Sequence, residues 1–440
     1  MNTSDFKDYK VDHLFLLIGE NPLPNYVAAR LLLNEQGGTP YLVHTTDTEE
    51  QAKRLAKILC DERHGFNTAQ LVSLQDYESD AYHIQDEIRR KINSLKNGRL
   101  GLNYTGGTKA MAVHAHRVLF SQERPDTVFS YLDSRRLEMC IDQENDERIH
   151  KKVSLKLSLE DVFKLHVPSL KHAPTTKPIL LEVVKVLAGA TQEWSTWVSS
   201  VLLPAAKKKK SSGELGKWES KTKLSNLSLS LEGVPQKIID VFRRHALLKD
   251  DGFLSLQNFH ITGHFKEPVD VCEWLAGKWL EHYVLQQIKE LKEISKEQFI
   301  HKYGMRLSVP YASNNSDNFE VIHDYGMSFN VPLVSGSSDD FEFDVAFMRS
   351  YQLFAISCTT DAKKALCKEK LFEAYLRADQ LGGSEARVAL VCCFDEPNKL
   401  KAELEVAIKD RKVAVFGRED IPNLSKGIVQ WIADSERETR

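Results

Sequence analysis

The sequence predicts an α/β protein of two or three domains, and three observations support this prediction. With 440 residues the chain is too long for one ordinary hydrophobic core. In the first 150 residues short apolar runs alternate with helical patterns, and a second alternation resumes beyond residue 266. Hydrophobic residues make up 42% and charged residues 28%, which is the balance of a globular protein.

The N-terminal part carries five apolar runs of strand type, with helical patterns such as Glu49–Leu59 and Ala81–Leu95 between them. The five runs are His13–Ile18, Tyr41–His44, Gln70–Leu74, Leu100–Tyr104 and Thr127–Leu132. Strands that alternate with helices predict a parallel, Rossmann-like sheet covered by helices on both faces. Such sheets bind ligands beyond the carboxyl ends of their strands, so we expect a ligand beside the loops that follow Ile18, His44 and Tyr104.

The rest of the chain divides into a middle region and a second α/β domain. In the middle, a helix at Val234–Leu247 and a short strand at Phe253–Leu256 predict a small winged-helix-like unit. Later strands are expected at Gly326–Pro332, Phe341–Met348, Leu353–Ser357, Ala386–Phe394 and Val413–Phe416. A strong helix at Lys363–Gln380 ends at two glycines. We therefore predict domains at 1–150, 151–265 and 266–440.

Composition restricts the function classes. The formal net charge is −3, so any nucleic-acid binding must come from local patches. Seven cysteines, an odd number with no CxxC pair, favour a reduced cytoplasm. We see no signal peptide, and no apolar run approaches the ~20 residues that span a membrane. The segment Ala205–Lys223 is rich in lysine; a mobile solvated loop is the favoured interpretation, and a contact with a nucleic-acid backbone is the alternative.

A glycine-rich segment from Asn103 to Met111 follows a predicted strand and opens a helix. Paired glycines allow close approach of a ligand, and threonine hydroxyls, helix-start N–H groups and a lysine ammonium all suit phosphate. A P-loop would need lysine at position 107, which is glycine, so the nucleotide triphosphatase pattern fails. We favour phosphate binding over a glycine turn that only caps the helix.

Two further polar loops are predicted at the same sheet edge, after the first and second strands. The first contains two prolines and two asparagines, whose amides suit bases or sugars. The predicted ligand-binding residues of all three loops are Gly19, Asn21, Pro22, Leu23, Pro24, Asn25, Thr45, Thr46, Asn103, Thr105, Gly106, Gly107, Thr108 and Lys109.

In the C-terminal part the residues point to a divalent metal. Glu342 and Asp344 alternate on one face of a predicted strand, and such a carboxylate pair suits Mn²⁺ or Mg²⁺. His260 and His264 are spaced for a helical metal site, but Gly263 and Pro268 make a helix doubtful. We favour ordinary histidines there.

Residues 19–25, 103–111 and Tyr131–Asp133 together resemble a CARF domain, the cyclic-oligoadenylate sensor of type III CRISPR systems. The chain is similar throughout to effectors that join a CARF domain to a nuclease domain, the CRISPR ancillary nucleases. This resemblance implies a homodimer that binds cyclic tetra-adenylate in a cleft across its two-fold axis.

The nuclease part of the resemblance rests on two segments. Gly277–Glu281 resembles the helix that opens the nuclease domain in this family, which implies that Glu281 joins Glu342 and Asp344 as a metal ligand. Asp344 followed by the strand ending Ile356–Thr359 resembles the PD-(D/E)xK plan, in which metal and lysine assist hydrolysis.

The sequence departs from that plan at two positions. Ser357 stands where the second acid is expected, and Thr359 stands where the lysine is expected. Either the lysine comes from the next helix, where Lys368 is our choice among Lys363, Lys364, Lys368 and Lys370, or the site is degraded. Lys370 and Glu373, three residues apart, could also meet on that helix.

The predicted function is a cytoplasmic endonuclease, activated by cyclic tetra-adenylate, that cleaves DNA, RNA or both in antiviral defence. Two alternatives stay open. One is a sensor whose degraded nuclease fold binds nucleic acid or a partner, and the other is a ring nuclease that degrades its own ligand through Thr105, Thr108 and Lys109. A Rossmann oxidoreductase ranks last, because GxGxxG is missing after the first strand.

Overall fold

The computed structural model describes most of the chain. The described residues are 3–95, 97–121, 126–142, 149–167, 174–303, 320–332, 340–408 and 413–438. Among them, no helix is long and apolar enough to cross a membrane.

The N-terminal sheet has seven strands in the order β3-β2-β1-β4-β5-β6-β7. Their bounds are β1 His13–Leu17, β2 Thr39–His44, β3 Gln70–Ser73, β4 Leu100–Asn103, β5 Val128–Asp133, β6 Glu138–Ile141 and β7 Ile149–Lys152. Strands β1 to β5 are parallel, which confirms the predicted sheet, and β6 and β7 extend it in antiparallel fashion. The two extra strands were not predicted, since β7 (Ile-His-Lys-Lys) is too polar for the strand pattern.

Helices cover both faces of this sheet. They are α1 Leu23–Leu32, α2 Glu49–Leu59, α3 Ala81–Asn93 and α4 Lys109–Phe120. Apolar residues of α1 and α2 belong to one core cluster, and those of α3 and α4 belong to another. The helices therefore form two layers with the sheet between them, as expected for an α/β fold.

The middle region is mostly helical. Its elements are α5 Leu159–His166, α6 Leu181–Ala188, α7 Thr191–Trp197, α8 Leu203–Ala206, β8 Lys207–Lys209, β9 Leu215–Trp218, α9 Lys221–Ser225, β10 Ser228–Leu229, α10 Gln236–Arg244, β11 Leu254–Ser255, α11 Leu256–Ile261 and α12 Pro268–Glu273. The predicted helix and strand of the winged-helix-like unit are present as α10 and β11, and β11 pairs with β10. Helix α11 ends before His264, so the two histidines do not share a helix.

The C-terminal domain holds a second sheet, in the order β12-β13-β14-β15-β16. Its elements are α13 Trp279–Glu293, α14 Lys296–Tyr303, β12 Asp324–Pro332, β13 Asp340–Arg349, β14 Gln352–Thr359, α15 Lys364–Gly382, β15 Arg387–Cys392, α16 Pro397–Ile408, β16 Val413–Phe416 and α17 Leu424–Glu438. Strands β12 to β14 are antiparallel and β14 to β16 are parallel. All five strands were predicted.

Helix α5 joins the two sheets into one core. Phe163 of α5 contacts Phe343 of β13, with ring centroids 5.9 Å apart. The β13–β14 turn is fixed to the N-terminal sheet's last segment, because Ser350 donates its hydroxyl to the carbonyl oxygens of Val153 and Leu155 at 3.1 and 3.2 Å. Burying these apolar side chains together removes them from water, which stabilises the domain contact.

A histidine at this contact gives the fold a predicted pH dependence. Burial, aided by the positive charge of Arg54, lowers the pKa of His166 to about 4. In the unfolded chain its pKa is about 6.5, so below that value the unfolded state takes up a proton that the folded state does not. We expect stability to fall as pH drops from about 6.5 to 4, with a contribution from His166 of up to about 1.4 kcal/mol per pH unit.

Thermal melts at pH 7.5 and pH 5 test this contribution. The melting temperature of the wild type should fall more between pH 7.5 and pH 5 than that of His166→Gln, because glutamine does not titrate. Substitution of the exposed His301 by glutamine serves as the matched control. Equal acid sensitivity of wild type and His166→Gln would show that His166 does not couple pH to the domain contact.

Candidate functional site

The strand order of the N-terminal sheet reverses between β1 and β4, and sheets of this kind form a ligand crevice beyond the carboxyl ends of such strands. Strands β1 and β4 lie side by side, while the chain after β1 returns to β2 and the chain after β4 continues to β5. The loops that follow these two strands are therefore the expected ligand-binding loops. The two loops that follow β1 and β4 are the ones that the sequence predicted.

Glycine is required where these loops meet. A Cβ atom on Gly106 would lie 2.3 Å from the carbonyl oxygen of Leu17, and one on Gly19 would lie 3.2 Å from the amide nitrogen of Gly107. Gly107 also has a φ of +71°, which side-chain-bearing residues rarely adopt. The paired glycines therefore let the two loops touch directly.

The groups exposed in the crevice lie at the start of α4. Gly107, Thr108 and Lys109 are exposed there. Thr108 caps the helix, since its hydroxyl oxygen accepts from the Met111 amide at 3.2 Å. The same hydroxyl donates to the carbonyl oxygen of Glu78 at 3.1 Å. The helix start and the Lys109 ammonium form a positive position suited to an anion, whereas the Thr108 hydroxyl is already engaged.

Several predicted ligand residues are buried instead, which corrects that part of the prediction. Asn25 is fully buried and donates its amide to the carbonyl oxygen of Leu17 at 2.8 Å. Asn103 is also fully buried and bonds Ser130. Pro22 and Leu23 are buried too, because the loop after β1 turns inward to begin α1. Thr45 is buried after β2, where its hydroxyl lies 3.1 Å from the Thr48 hydroxyl. These side chains position the loops and do not face the crevice.

The remaining predicted loop residues differ in exposure and in hydrogen bonding. The Thr105 hydroxyl oxygen accepts from the Leu132 amide at 2.7 Å and so ties its loop to β5. Thr46 is exposed, and Gly19 and Pro24 are half-buried.

Asn21 reaches the C-terminal domain. Its side-chain oxygen accepts from the Leu23 amide at 2.9 Å, and its amide nitrogen is buried. That nitrogen lies 2.6 Å from the position that a Cβ atom on Gly383 would occupy. Nearby, the hydroxyls of Ser134 and Ser384 are 3.2 Å apart. The ligand loop thus contacts the residues that follow α15.

Asp344 is the centre of the second candidate site. Its carboxylate accepts from the Cys358 amide at 2.6 Å and from the Ser357 hydroxyl at 3.1 Å. Ser357 therefore stands opposite Asp344 on the neighbouring strand. Burial raises the pKa of Asp344, although the positive charges of Lys370 and Lys278 and these two hydrogen bonds oppose the increase. An acid held in such surroundings is typical of functional sites.

A cavity of about 40 Å³ lies beside this carboxylate. Its lining includes Asp344, Ser357, Lys370 and Glu373. The last two residues come from α15, where a spacing of three places them on one side of the helix. The cavity is large enough for a water molecule or an ion and too small for a nucleotide.

The lysine chosen from the sequence lies elsewhere on α15. Lys368 pairs with Glu403 of α16 at 2.5 Å, and Lys364 pairs with the same carboxylate. Lys370, which lines the cavity, is the better candidate. The two lysines point in different directions, because helical rotation turns a residue two positions away by about 200°.

Lys278 was missed. It ends a π-helical turn, Trp274–Lys278, that lies between α12 and α13. This turn is fixed to the end of β14, because Thr360 donates its hydroxyl to the carbonyl oxygen of Ala276 at 2.9 Å. The π turn is a feature frequent at functional sites. No periodicity in the sequence indicates this turn, since a π turn shows no distinct pattern.

The other predicted metal ligands are less clearly placed. Glu281 is 9% exposed on α13 and does not line the cavity. Burial raises the pKa of Cys358, and the charges of Asp344 and Glu281 add to the increase. The core residues of α13 and of α15 belong to different clusters on the second sheet. Glu342 lies on β13, and its side chain falls outside the described residues. Within the described ranges, no group of three or more His, Cys, Asp or Glu side chains could hold a metal ion.

Comparison with solved structures identifies similar folds over nearly the whole chain. Protein VC1899 from Vibrio cholerae aligns with a TM-score of 0.67 at 15% identity, over 96% of this chain and 98% of that one. Can2 from Sulfobacillus thermosulfidooxidans, solved in complex with cyclic tetra-adenylate, aligns with a TM-score of 0.63 at 16% identity, over 96% and 99%. Comparison with curated proteins gave no match.

The sequence itself matches one family model. Residues 14–161 match the Card1 CARF domain. This range contains strands β1 to β7 except His13, the first residue of β1, and both crevice loops, and it confirms the resemblance found in the sequence. The N-terminal part of this chain is therefore a CARF domain.

Proposed function

We propose that this protein is a metal-dependent nuclease that cyclic tetra-adenylate activates, acting on DNA, RNA or both in type III CRISPR defence. The observation that carries the proposal is Asp344. It is a buried acid with a raised pKa, placed beside Lys370 and Glu373 in a chain that begins with a CARF domain. A carboxylate and a lysine at one cavity are the groups that phosphodiester hydrolysis uses.

The choice of ligand rests on the crevice and on one similar structure. Can2, which has the same fold over almost its whole length, binds cyclic tetra-adenylate. In this chain the start of α4 and the exposed Lys109 offer positive charge at the switch point of the sheet. Phosphate groups bind favourably at such a helix start.

An exposed apolar surface supports a homodimer. Tyr82 of α3 is 78% exposed, Val113 and Phe120 of α4 are 62% and 58% exposed, and Tyr131 of β5 is 40% exposed. Large exposed apolar side chains on neighbouring elements are typical of protein interfaces. A two-fold axis here would bring two copies of the crevice together around a ligand that has its own symmetry.

The donor set near Asp344 fits Mn²⁺ or Mg²⁺. The carboxylates of Asp344 and Glu373 and the hydroxyl of Ser357 are hard oxygen donors at one cavity. These ions are commonly held by one or two carboxylates, with water and substrate phosphate as the other ligands. A bound ion would supply a water molecule of lowered pKa and positive charge for the phosphate.

The chain's own residues would do the rest. Lys370 and Lys278, whose charges already act on Asp344, would attract the scissile phosphate and stabilise its developing negative charge. The amide of Cys358 and the hydroxyl of Ser357 hold Asp344 in one orientation. Because the cavity is small, the surrounding chain must open before nucleic acid enters. An activator that binds the open arrangement more tightly would supply that change.

A second candidate is a CARF sensor that binds nucleic acid or a partner without cleavage. It is favoured by Ser357 and Thr359, which replace the expected acid and lysine. The third possibility from the sequence, self-degradation of the ligand, has less support, because the Thr108 hydroxyl is engaged by Glu78 and Met111.

Cleavage assays separate the first two candidates. Labelled single-stranded DNA, single-stranded RNA and supercoiled plasmid are incubated with Mn²⁺ or Mg²⁺, with and without cyclic tetra-adenylate. We expect cutting that requires the ligand and falls at least about 100-fold in Asp344→Asn. Asp379→Asn, an exposed acid of α15, should cut as the wild type does. Ligand binding without any cutting would instead select the inactive sensor.

The two lysines of α15 give a sharper test of the site. Lys370→Gln should lower the cleavage rate about 100-fold, since it removes a charge from the cavity. Lys368→Gln should change the rate less than about threefold, because Lys368 pairs with Glu403 and an exposed ion pair contributes little. Equal losses in single-turnover cleavage would contradict the assignment to Lys370.

The crevice is tested by ligand binding. Gly106→Ala should weaken binding of cyclic tetra-adenylate at least about tenfold, because the added methyl group would push the loop away from the carbonyl oxygen of Leu17. Gly189→Ala is the matched control, since a Cβ atom there meets only ordinary contacts. Isothermal calorimetry measures the affinity, and thermal melts establish that both variants fold. Unchanged affinity in Gly106→Ala would place the ligand elsewhere.

A further inference from the structure

The lysine-rich segment that the sequence favoured as a mobile loop is a β-hairpin. Strands β8 and β9 pair in antiparallel fashion, and the Lys210 and Glu214 backbones close the turn with a hydrogen bond of 2.8 Å. Gly213, with a φ of +83°, permits this tight reversal. The lysines are therefore displayed on a defined element.

The base of the hairpin is anchored to the core. Trp218 is half-buried and packs against the larger hydrophobic cluster. The Lys207 ammonium lies 4.5 Å from the centre of the Trp218 ring, and the Glu219 amide donates to the carbonyl oxygen of Ala206 at 2.9 Å. A cation on an aromatic face adds to this attachment. The hairpin is thus held at its base, and its tip projects into water.

Charge on this element contrasts with that of the whole chain. The hairpin, residues 207–218, contains five lysines and one glutamate, a formal charge of +4, and α9 adds Lys221 and Lys223 next to it, whereas the chain has a net charge of −3. Lys210, Lys221 and Lys223 pair with carboxylates. Lys208, Lys209 and Lys217 are exposed, and none of the carboxylates in the described ranges forms an ion pair with them. Three uncompensated cations on one hairpin complement a polyanion.

The side chains indicate which part of a polyanion is contacted. The hairpin has no arginine for bidentate contact with base edges. Its one aromatic ring, Trp218, is half-buried, packs against the core and has the Lys207 ammonium over one face, which disfavours stacking on bases. Lysine ammonium groups act as point charges on phosphate, so the expected contact is with the backbone and independent of sequence.

The hairpin is connected directly to the second candidate site. Helix α7, a π-helical turn and α8 run continuously from Thr191 to Ala206 and lead into β8. Near the start of this helical run, Trp194 donates its indole N–H to the carbonyl oxygen of Leu275 at 3.0 Å. Leu275 belongs to the π turn that ends at Lys278. The rise of a helix places the hairpin about 20 Å from that contact, a length of about six base steps of nucleic acid.

We infer that Lys208, Lys209 and Lys217 of the β8–β9 hairpin bind the phosphate backbone of the nucleic acid whose cleavage is proposed above. This inference rests on the proposed function for the identity of the substrate. Its test measures binding of nucleic acid, whereas the test of the proposed function measures cleavage. The hairpin holds the strand away from Asp344 and so fixes the substrate's position without reading its sequence.

The experiment measures binding of the full-length protein to a labelled 24-base-pair DNA duplex in EDTA, which prevents cutting. The test variant is Lys208→Gln/Lys209→Gln/Lys217→Gln. The control variant, Lys7→Gln/Lys57→Gln/Lys426→Gln, removes the same charge from three exposed lysines outside the hairpin. Affinity is measured between 50 and 200 mM salt with and without cyclic tetra-adenylate, and thermal melts compare the folding of all three proteins.

Loss of three phosphate contacts should lower the slope of log affinity against log salt by about 2.7. Raising salt from 50 to 200 mM should then weaken wild-type binding about forty-fold more than binding by the hairpin variant, while the control variant keeps the wild-type slope. Equal slopes for the hairpin variant and the wild type would overturn the inference. Binding to vesicles of anionic lipid but not to the duplex would also overturn it.

The outcome does not depend on whether the chain cuts. A normal hairpin effect with no cleavage by any protein would reject the nuclease and keep the hairpin as a nucleic-acid contact. Ligand-dependent cleavage with an unchanged salt slope would keep the nuclease and reject the hairpin.

Discussion

The packing of α5 between the two sheets is the interaction on which the rest of the structure depends. Phe163 of this helix contacts Phe343, the residue directly before Asp344. The same core cluster contains residues of α1 and α2 beneath the CARF sheet and residues of α15 on the second sheet. Because close-packed interiors transmit displacement and do not absorb it, the two candidate sites are joined by one continuous apolar body. Their relative placement is therefore a property of the fold.

The second sheet buries the carboxylate of Asp344, although burial disfavours its charged form. Burial of a carboxylate in apolar surroundings disfavours its charge, and here burial outweighs the hydrogen bonds and lysines that oppose it. A buried acid of this kind reduces stability, so its presence needs a reason outside folding. Its charged neighbours provide one: Lys370 and Glu373 line the same cavity, and the charge of Lys278 also acts on Asp344.

The sequence predicted those strands and helices whose apolar residues recur at regular intervals. It did not predict which way individual polar side chains point. Strands β1 to β5 and β12 to β16 were predicted, because apolar runs between helices leave few alternatives. Asn25 and Asn103 were misjudged, since a polar residue in a loop gives no sign that its amide will turn inward to bond a backbone carbonyl. Lys368 and Lys370 differ only in helical rotation, which depends on what α15 packs against. The lysine-rich hairpin was also missed, because its polar strands are stabilised by Trp218 and not by alternation.

The contact between Asn21 and Gly383 links the loop after β1 to the end of α15. Asn21 belongs to the crevice loop after β1, and Gly383 directly follows the helix that carries Lys370 and Glu373. The Asn21 amide occupies the space that any side chain at position 383 would need, and Gly383 has a φ of +68°. A ligand that moves the β1 loop must therefore move the end of α15 or break this contact. Since α15 is a rigid rod packed along β14 and β15, motion at its end changes the position of the lysine and glutamate at the cavity.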